Sequence, residues 1–274
     1  MQYIELPCYP KLNVFLKVTQ RRSDGFHLLS SRFVLAQGTL FDTLSIESSE
    51  RFQIEGAFSC AMEENTIFRA KCALQEILST RGKSSPLDSL KVCVQKAIPT
   101  GAGLGGGSAN AAGFVLGVNK VFALNLTKAD FAYIAQKSGA DVAFFLSNFT
   151  SANISGIGEV VEEFKEPQNA FEIFTPKVFC STPKVYKNFA LRIAKGAQYT
   201  ENIEIARLES MQSAEILKEY REGEDKNTKR ARLNDLFLSA LTIAPELENI
   251  ANELGEEWAF SGSGSSFFRL KDSQ

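Results

Sequence analysis

Apolar and polar side chains alternate over much of the first 60 residues, as in the segments NVFLKV, RFVL and DTLSIES. A period of two is typical of β-strands that bury one face and expose the other. Asp24 and Gly25 form a turn signal between two of these segments. The pattern predicts a β-rich opening of the chain.

The period changes to that of a helix between residues 65 and 78, where Asn65 is suited to cap the first turn. Residues 90–95 alternate again and predict a strand that leads into a glycine-rich run. After the glycines an apolar stripe predicts a second helix, and Thr127 begins a third that ends near Lys137. The stripe consists of Ala109, Ala112, Val115, Leu116 and Val121. This part of the chain is therefore α+β.

A second series of elements begins after residue 150. The segments SANIS, EVVEEF and FEIFTP predict strands, and WAFSGSGSSFFRL predicts two strands around a glycine-serine turn. Two or three helices are expected between Thr182 and Leu254, with the charged segment KEYREGEDKNTKR as a flexible surface loop. We therefore predict two domains, residues 1–152 and residues 153–274.

The composition is that of an ordinary globular protein, since 44% of the 274 residues are apolar and 23% are charged. A formal net charge of -2 attracts neither nucleic acid nor an anionic membrane, so any anionic ligand must be bound by local groups. The single histidine excludes His-rich metal sites, and the five dispersed cysteines predict reduced, mostly buried thiols. We recognise no signal-peptide pattern and no long apolar span, so we expect a cytoplasmic protein.

The segment PTGAGLGGGSANAA, residues 99–112, contains five glycines between Gly101 and Gly107. Because glycine has no Cβ, it adopts positive φ and lets the backbone approach a polyphosphate closely. The N–H groups at the start of the following helix then face the anion. The run predicts a phosphate-binding loop, and the alternative is a turn that only permits tight packing of a strand on a helix.

Three other glycine motifs fit less well. Gly101, Gly103 and Gly106 match the dinucleotide fingerprint formally, but a second helix follows where a strand ending in an acidic residue is required. The Lys and Ser/Thr pair of a P-loop is missing after Gly107, where Ser108 follows. No HRD or DFG segment follows either, which excludes a protein kinase.

With these motifs the chain resembles the GHMP kinase superfamily. Residues 99–108 match its glycine-rich loop, YPKLNVFLKVTQRRSDGFHLLSS is similar to its first motif, and residues 261–268, SGSGSSFF, are similar to its third. The resemblance implies that the glycine-serine turn in this third segment lies against the nucleotide loop and the substrate. The resemblance implies an α+β fold with an N-terminal nucleotide-binding α/β domain, a C-terminal ferredoxin-like α/β domain and an active-site cleft between them. Members continue beyond the position of Phe268 through another helix and strand, so we expect a reduced edge of the second domain.

The resemblance implies that ATP is bound by the loop and its surroundings. The candidate residues are Asn65, Lys96, Pro99, Gly101, Gly103, Leu104, Gly105, Gly106, Gly107, Ser108 and Ala109. Asn65 serves equally well as a helix cap, and Lys96 either reaches the nucleotide or is exposed. Mg²⁺ is inferred from ATP chemistry, with Ser108 as a possible contact to it or to phosphate. Nothing in the sequence identifies the other metal ligands.

Lys11 and Asn13 are two residues apart on a predicted strand, so their side chains project from the same face. The resemblance implies that Lys11 stabilises charge during transfer and that Asn13 places the substrate. It also implies that Asp141, in the segment SGADVAFFL, is the general base. Without the resemblance, Lys11 is a solvated lysine and Asp141 caps a helix or turn.

The opening motif is similar to a branch of the superfamily whose acceptor carries a cytidine diphosphate group. There Phe26 would stack on cytosine, His27 would hydrogen-bond to its polar edge, and Tyr186, after Thr182, would close the other side. The alternatives are a structural histidine and a Tyr186 that packs in the second core. Phe26 stands where this branch more often has tyrosine.

The resemblance thus implies transfer of the γ-phosphoryl group of ATP to a hydroxyl of a cytidine-diphosphate-bearing substrate. One rival is a kinase of the same superfamily acting on mevalonate, homoserine or a sugar, which needs no cytosine site. Another is a nucleotide-binding module without activity. We expect no nucleic-acid or membrane partner, and a monomer or weak homodimer.

Overall fold

The computed structural model describes residues 3–82, 85–219, 221 and 223–271. The strands in these residues are β1 (Ile4–Cys8), β2 (Lys11–Arg21), β3 (His27–Leu35), β4 (Asp42–Ser48), β5 (Gln53–Gly56), β6 (Leu90–Gln95), β7 (Ser151–Ser155), β8 (Val160–Glu163), β9 (Phe171–Phe174), β10 (Ala259–Phe260) and β11 (Phe267–Leu270). The helices are α1 (Thr66–Thr80), α2 (Gly106–Val121), α3 (Lys128–Ser138), α4 (Val142–Ser147), α5 (Thr182–Ala194), α6 (Asn202–Ser210), α7 (Ser213–Lys218), α8 (Lys226–Leu233), α9 (Phe237–Ile243) and α10 (Glu246–Glu253). The mixture confirms the predicted α+β class.

Contacts divide the chain into two compact units. Unit 1 comprises Met1–Pro10, Thr39–Thr100 and Gly105–Asn148, and unit 2 comprises Lys11–Gly38, Gly101–Leu104 and Phe149–Gln274. The division differs from the predicted single boundary after residue 152, because the β2–β3 hairpin and the first glycines of the run belong to unit 2. A single boundary along the sequence cannot describe segments that pass from one unit to the other, because a strand pairs with strands that are far from it in the chain.

The described residues of unit 1 form one sheet and the α-helices α1 to α4. Its strand order is β1-β4-β6-β5, with β5 and β6 parallel and the other pairs antiparallel. Helix α1 begins where predicted, because the Asn65 side chain accepts a hydrogen bond from the N–H of Ile67. Thr127 and Asp130 form a capping box at the start of α3. The predicted helical stripes therefore become one core of α1, α2, α3 and the sheet.

The described residues of unit 2 form two sheets. Strands β2-β3-β7-β8 form an antiparallel sheet, and β10-β11-β9 form a second one. The strands predicted from SANIS, EVVEEF, FEIFTP and WAFSGSGSSFFRL are all confirmed. A hydrophobic core of unit 2 contains Phe189, Phe237, Phe260 and Phe267 together with smaller apolar side chains.

The prediction of two or three helices after Thr182 is wrong, because the described residues form six. Sequence periodicity merges short helices, whereas local caps separate them. Gln212 and Glu215 form a capping box at α7, and Asp225 accepts two backbone N–H bonds at α8.

The segment KEYREGEDKNTKR, residues 218–230, is also not one surface loop. Positions 220 and 222 lie outside the described residues, but α8 begins at Lys226 and buries Lys229 and Arg230. The Arg230 guanidinium donates to the carbonyl oxygens of Trp258, Ala251 and Gly255. Backbone carbonyls therefore satisfy a charge that the sequence pattern assigns to solvent.

Two further features bear on the class of protein. No helix in the described ranges is long and apolar enough to span a bilayer. All five cysteines are free, as predicted, but only Cys8 and Cys180 are buried. Burial raises the pKa of each of these two thiols to about 11. The expectation that most of the thiols are buried is therefore wrong.

A buried ion pair attaches strand β2 to the segment between α8 and α9. Lys17 Nζ lies 2.7 Å from Asp235 Oδ1, and the N–H of Val18 donates to the other carboxylate oxygen at 2.9 Å. The exposed fractions of the two charged side chains are 3% and 10%. The N–H of Asp235 in turn donates to the carbonyl of Leu16. The strand that carries Lys11 and Asn13 is therefore fixed by a charged contact in its middle.

Replacing Asp235 by alanine should lower the free energy of unfolding by about 3–5 kcal/mol, because Lys17 would retain a buried charge without its carboxylate. Urea unfolding followed by circular dichroism measures this change. Glu172→Ala, which breaks the exposed pair with Arg269, is the matched control and should leave the midpoint nearly unchanged. Equal effects of the two substitutions would contradict the role given to the buried pair.

Candidate active site

The glycine run adopts the backbone conformation that its sequence predicts. Gly101, Gly103 and Gly105 have φ values of 72°, 73° and 70°, which residues with a Cβ rarely adopt. Gly105 is the N-cap of α2, and the helix begins at Gly106. The N–H groups of the first turn of this 16-residue helix have no intrahelical acceptor, and together with the dipole they favour an anion. The geometry is that of an anion-binding helix start.

The glycine-serine turn of residues 261–266 packs against the start of this run within unit 2. Ser261 Oγ donates to the carbonyl of Gly103 at 3.3 Å, and the N–H of Ser266 donates to the carbonyl of Ala102 at 3.2 Å. A Cβ on Gly103 would lie 3.0 Å from the carbonyl oxygen of Gly264 and closer still to that of Ser261. The prediction that this turn lies against the loop is confirmed.

Lys96 lies in a cluster of buried polar side chains that the sequence did not predict. Its ammonium pairs with the fully buried Asp42 and donates to Asn110 Oδ1 at 3.1 Å. Asp42 also accepts from the N–H groups of Ala97 and Ile98, at 2.7 and 2.8 Å. The exposed-lysine alternative is therefore wrong, and the end of β6 is fixed to β4 and α2 by one carboxylate.

The same ammonium lies under the first turn of α2. A Cβ on Gly106 would be 3.3 Å from Lys96 Nζ and 2.9 Å from Ile98. The positive end of the Lys96–Asp42 ion pair thus lies below the helix start. Glycine at position 106 is needed because any side chain would displace this lysine or Ile98.

Asn65 acts as the cap of α1, since its Oδ1 accepts from the N–H of Ile67 at 2.9 Å. The neighbouring Thr66 donates its hydroxyl to the carbonyl of Gly107 at 2.8 Å. Helix α1 therefore meets the glycine run in unit 1, while a contact of Asn65 with adenine stays a prediction. Of the other candidates for ATP, Pro99 is exposed, Ser108 is half-buried and Ala109 is buried.

Lys11 and Asn13 lie side by side at the start of β2, as their spacing predicts. Lys11 Nζ donates to Asn13 Oδ1 at 2.5 Å, and the amide of Asn13 donates to Ser31 Oγ at 2.9 Å. The ammonium also lies 4.4 Å from the centre of the Phe33 ring. Exposed fractions of 4% for Lys11 and 1% for Asn13 exclude the solvated-lysine alternative.

The N–H of Lys11 donates to the carbonyl of Leu104 at 3.0 Å. This bond connects the start of β2 to the glycine run within unit 2. Asp141 belongs to unit 1, where it is half-buried at the N-cap position of α4. Its carboxylate makes no capping bond to that helix. The capping alternative is therefore wrong for α4.

His27 begins strand β3 and packs against α5. Its ring centre lies 5.4 Å from that of Tyr186, with the planes tilted by 31°, and 6.2 Å from that of Phe189. Burial, and secondarily the charge of Arg21, lower the pKa of His27, so the imidazole is neutral at neutral pH. Its Nε2 is buried and has no hydrogen-bond partner among the described residues. A neutral ring with one unused polar atom is suited to a ligand that supplies the missing bond.

Phe26 and Thr182, two further substrate candidates, lie near His27 and Tyr186 in the sequence but have different surroundings. Phe26 is 59% exposed in the turn before β3, where its N–H donates to Asp24 Oδ1. Thr182 is the first residue of α5, and its hydroxyl lies 2.7 Å from that of Ser263. Thr182 therefore connects α5 to the turn that packs on the glycine run.

Sequence reasoning missed several polar residues that hold these candidates. Asp42, Asn110, Ser31 and Ser261 are each buried and hydrogen-bonded to a candidate residue. Asn110 gave a usable signal, because it interrupts the small apolar residues of α2. Asp42 gave a weaker one, as an acidic residue directly before an alternating strand.

Similar proteins agree on one family. Residues 65–148 match the family model described as GHMP kinases N terminal domain. Proteins named 4-diphosphocytidyl-2-C-methyl-D-erythritol kinase from Helicobacter acinonychis (strain Sheeba) and Sulfurimonas denitrificans (strain ATCC 33889 / DSM 1251) are 39% and 41% identical to this chain. Each alignment covers 97% of this chain and 96% of the relative.

Solved structures give the same result for the fold. The crystal structure of a 4-(cytidine 5'-diphospho)-2C-methyl-D-erythritol kinase superimposes with a TM-score of 0.69 at 29% identity and covers 97% of this chain and 90% of its own. A mevalonate kinase superimposes with a TM-score of 0.53 at 15% identity and covers 99% of this chain and 92% of its own. The second likeness shows a shared fold, which confirms the predicted two-domain class.

Gly103→Ala should destabilise the protein more than Gly196→Ala, although both glycines have positive φ. A Cβ on Gly196 meets no atom within 4 Å, so that change should cost about 1–2 kcal/mol from backbone strain alone. Gly103→Ala adds a collision with the backbone of residues 261–264, worth about a further 1–3 kcal/mol. Urea unfolding of the two variants measures the difference, and equal losses would argue against the close approach.

Proposed function

Since this chain belongs to the 4-diphosphocytidyl-2-C-methyl-D-erythritol kinase family, we propose that it phosphorylates the 2-hydroxyl of 4-diphosphocytidyl-2-C-methyl-D-erythritol with ATP. The reaction is a step of isoprenoid precursor synthesis by the non-mevalonate route. The observation that carries the proposal is the identity of 39–41% with relatives of that name over 97% of the chain. Kinases for other acceptors share the fold at much lower identity, as the mevalonate kinase at 15% illustrates.

ATP is proposed to place its phosphates on the glycine run. The left-handed glycines allow close approach of the backbone, and the start of α2 supplies N–H groups and a partial positive charge. Lys96, held below Gly106 by Asp42, turns the positive end of this ion pair towards the loop. These features suit a polyphosphate better than a neutral ligand.

Mg²⁺ is proposed to accompany ATP. The described residues contain no cluster of three or more His, Cys, Asp or Glu side chains that would hold a metal ion by themselves. Mg²⁺ in kinases takes several of its ligands from substrate phosphates and water, so such a cluster is not required. Ser108, half-buried in the first turn of α2, is the candidate protein contact. Bound there, the ion would neutralise charge on the phosphates.

Asp141 and Lys11 are the proposed catalytic residues. The acceptor hydroxyl loses its proton to the Asp141 carboxylate while its oxygen forms a bond to the γ-phosphorus. The bond from that phosphorus to the bridging β–γ oxygen breaks, and ADP leaves. Lys11, buried and oriented by Asn13, stabilises the negative charge that develops during the transfer. Asn13 is in turn held by Ser31.

Cytosine is proposed to bind at His27 and Tyr186. A neutral imidazole can donate through one nitrogen and accept through the other, and the polar edge of cytosine offers both kinds of group. Tyr186 and the exposed Phe26 provide aromatic faces for stacking. Thr182 is a candidate contact at the start of α5.

The register of the β2–β3 hairpin supports an elongated substrate. Lys11 pairs with Leu35 at one end of the hairpin, and His27 pairs with Arg21 at the other. A substrate whose base and reacting alcohol are joined by a diphosphate matches two recognition points that are far apart. A compact acceptor such as homoserine would not need the second point.

The remaining partners follow from charge and chemistry. A net charge of -2 supports a protein without nucleic-acid or membrane partners. The need for ATP supports a cytoplasmic location, and we propose a monomer or weak homodimer.

Asp141→Asn should lower kcat for the cytidyl substrate by about 10²–10⁴-fold, because the amide cannot accept the hydroxyl proton. ATP binding, measured by calorimetry, should stay within a factor of two or so of the parent protein, since the two side chains have nearly the same shape. Asp88→Asn, at an exposed carboxylate of the same unit, is the matched control and should retain full turnover. Unchanged kcat in Asp141→Asn would remove this residue as the base.

Changing Phe26 and His27 together to alanine should raise KM for the cytidyl substrate by about 10-fold or more, since aromatic and hydrogen-bonding contacts with the base are both lost. KM for ATP, determined in the same assay, should not change and serves as the internal control. An unaltered KM for the cytidyl substrate would place cytosine elsewhere.

A further inference from the structure

Arg32 lies in the middle of strand β3 and is completely buried, with an exposed fraction of 0%. Its Nε donates to Asn153 Oδ1 at 2.7 Å, and Nη1 and Nη2 donate to the carbonyls of Met211 and Glu209 at 3.1 and 2.8 Å. The guanidinium also lies over the Phe164 ring, 3.4 Å from its centre. Burial lowers the pKa of Arg32 to about 10, so the side chain is charged at neutral pH. Hydrogen bonds on all three nitrogens therefore fix a buried charge.

Glu166 places a carboxylate beside this charge. Its Oε1 lies 3.9 Å from Arg32 Nη1, and only 3% of its side chain is exposed. The same carboxylate accepts from the hydroxyls of Ser151 and Ser213 and from the N–H of Ser213, each at 2.6 Å. Arg32 and Glu166 thus join β3 to β7 and to the start of α7, all within unit 2.

The two neighbours of Arg32 in β3 support the proposed substrate and transfer residues. Ser31 accepts from the amide of Asn13, and the ring of Phe33 packs against the ammonium of Lys11. Because side chains alternate along a strand, Ser31 and Phe33 face one side of the sheet and Arg32 faces the other. Arg32 therefore holds β3 from the side opposite the candidate site.

The pairing of β2 with β3 shifts by one residue at the same place. Asn13 pairs with Phe33 but Phe15 pairs with Arg32, so Val14 is an extra residue on β2, as in a β-bulge. Residues that pair across two strands share a face, so the shift decides which β2 side chains lie on the face of Phe33. Without the extra residue, Asn13 would turn to the face of Arg32 and away from its partners.

The charge of Arg32 is better suited to fixing this register than to adding stability. Desolvation offsets most of the attraction within a buried ion pair, and the best attested use of buried charges is to select one register. The donors of a guanidinium have a rigid geometry, so their acceptors match one position of β3. A slip by one residue would bury the charge without those acceptors, which is strongly unfavourable.

We propose that Arg32 is a positioning residue, which fixes the register of β3 against the extra residue of β2 and so keeps Lys11 and Asn13 turned towards the reacting groups. The inference rests on the proposed function for the reaction itself. It assigns a role to a residue that lies directly after the motif of residues 9–31 and acts from the opposite face of the sheet.

Arg32→Lys should lower kcat for the cytidyl substrate by roughly 10- to 100-fold, because one ammonium cannot replace the divergent donors and the β2 side chains lose their orientation. MgADP binding, measured by calorimetry, should not change, since the glycine run has other supports. The assay is run well below the unfolding midpoint, which circular dichroism determines for each variant.

Arg230→Lys is the matched control. Arg230 is also buried in unit 2 and also donates to backbone carbonyls, so its replacement makes the same chemical change elsewhere in the unit. We expect a lowered unfolding midpoint and an unchanged kcat. A role of Arg32 in stability alone would give the same result for Arg32→Lys.

Amide hydrogen exchange, followed by mass spectrometry, tests the register directly. The amides of residues 11–18 should exchange faster in Arg32→Lys than in the parent or in Arg230→Lys, because the pairing of β2 with β3 is no longer fixed. Asn153→Ala removes only the acceptor of Nε and is the second variant if Arg32→Lys does not fold. It should lower kcat by roughly 2- to 10-fold.

Arg32→Lys combined with Asn13→Ala tests the route of the effect. Because Arg32 acts by orienting Asn13 and Lys11, Arg32→Lys should lower kcat by a smaller factor in Asn13→Ala than in the parent. Multiplying effects, an unchanged kcat in Arg32→Lys or in Asn153→Ala, or an equal loss in Arg230→Lys would each overturn the proposal.

The two proposals fail separately. If the parent protein does not phosphorylate the cytidyl substrate, the proposed function fails, but amide exchange still decides whether Arg32 fixes the register. If the parent turns over that substrate and Arg32→Lys keeps its kcat, only the positioning role is lost.

Discussion

Gly103 lies where no side chain fits. Its α-carbon faces the carbonyls of Ser261 and Gly264, and its own carbonyl accepts from Ser261 Oγ. This close approach of two backbones fixes the start of the glycine run to the turn before β11. The N–H of Lys11 also bonds to the run, at Leu104, so the first strand of the hairpin is aligned on the same segment. Without the approach at Gly103, the candidate loop and the candidate lysine would lose their common support.

Charges near the loop are held by buried partners instead of by solvent. Asp42 accepts from Lys96, Asn110 and the N–H groups of Ala97 and Ile98, so the lysine cannot relax away from α2. Buried pairs of this kind contribute little net stability, because desolvation offsets their attraction. These pairs instead fix the positions of the charged groups. Phosphoryl transfer depends more on such positioning than on chemically reactive side chains.

The sequence was sufficient for the elements whose signals are local. Asn65 and Thr127 mark helix starts by capping chemistry, the glycines mark a positive-φ loop, and the spacing of Lys11 and Asn13 places both on one face. Contacts between segments far apart in the chain could be predicted only from the family resemblance. The contact of the turn of residues 261–266 with the glycine run is an example. The partners of Lys96 could not be predicted, because they depend on packing between elements far apart in the chain.

The helices after Thr182 show a further limit of prediction from sequence periodicity. Periodicity counts apolar positions, and it joins short helices whose separation depends on caps such as Asp225. It also assigned Lys229 and Arg230 to solvent, although backbone carbonyls bind both. A run of charged residues therefore predicts an exposed segment only where no backbone carbonyl oxygens lie close enough to bind the charges.

The most direct measurement is ADP release by the purified protein with MgATP, supplied in parallel with 4-diphosphocytidyl-2-C-methyl-D-erythritol, mevalonate, homoserine and galactose. We expect acceptor-dependent turnover with the cytidyl compound alone, with the new phosphate on its 2-hydroxyl by ³¹P NMR of the product. Turnover with another acceptor in its place, or none with any, would contradict the substrate and the site described for it.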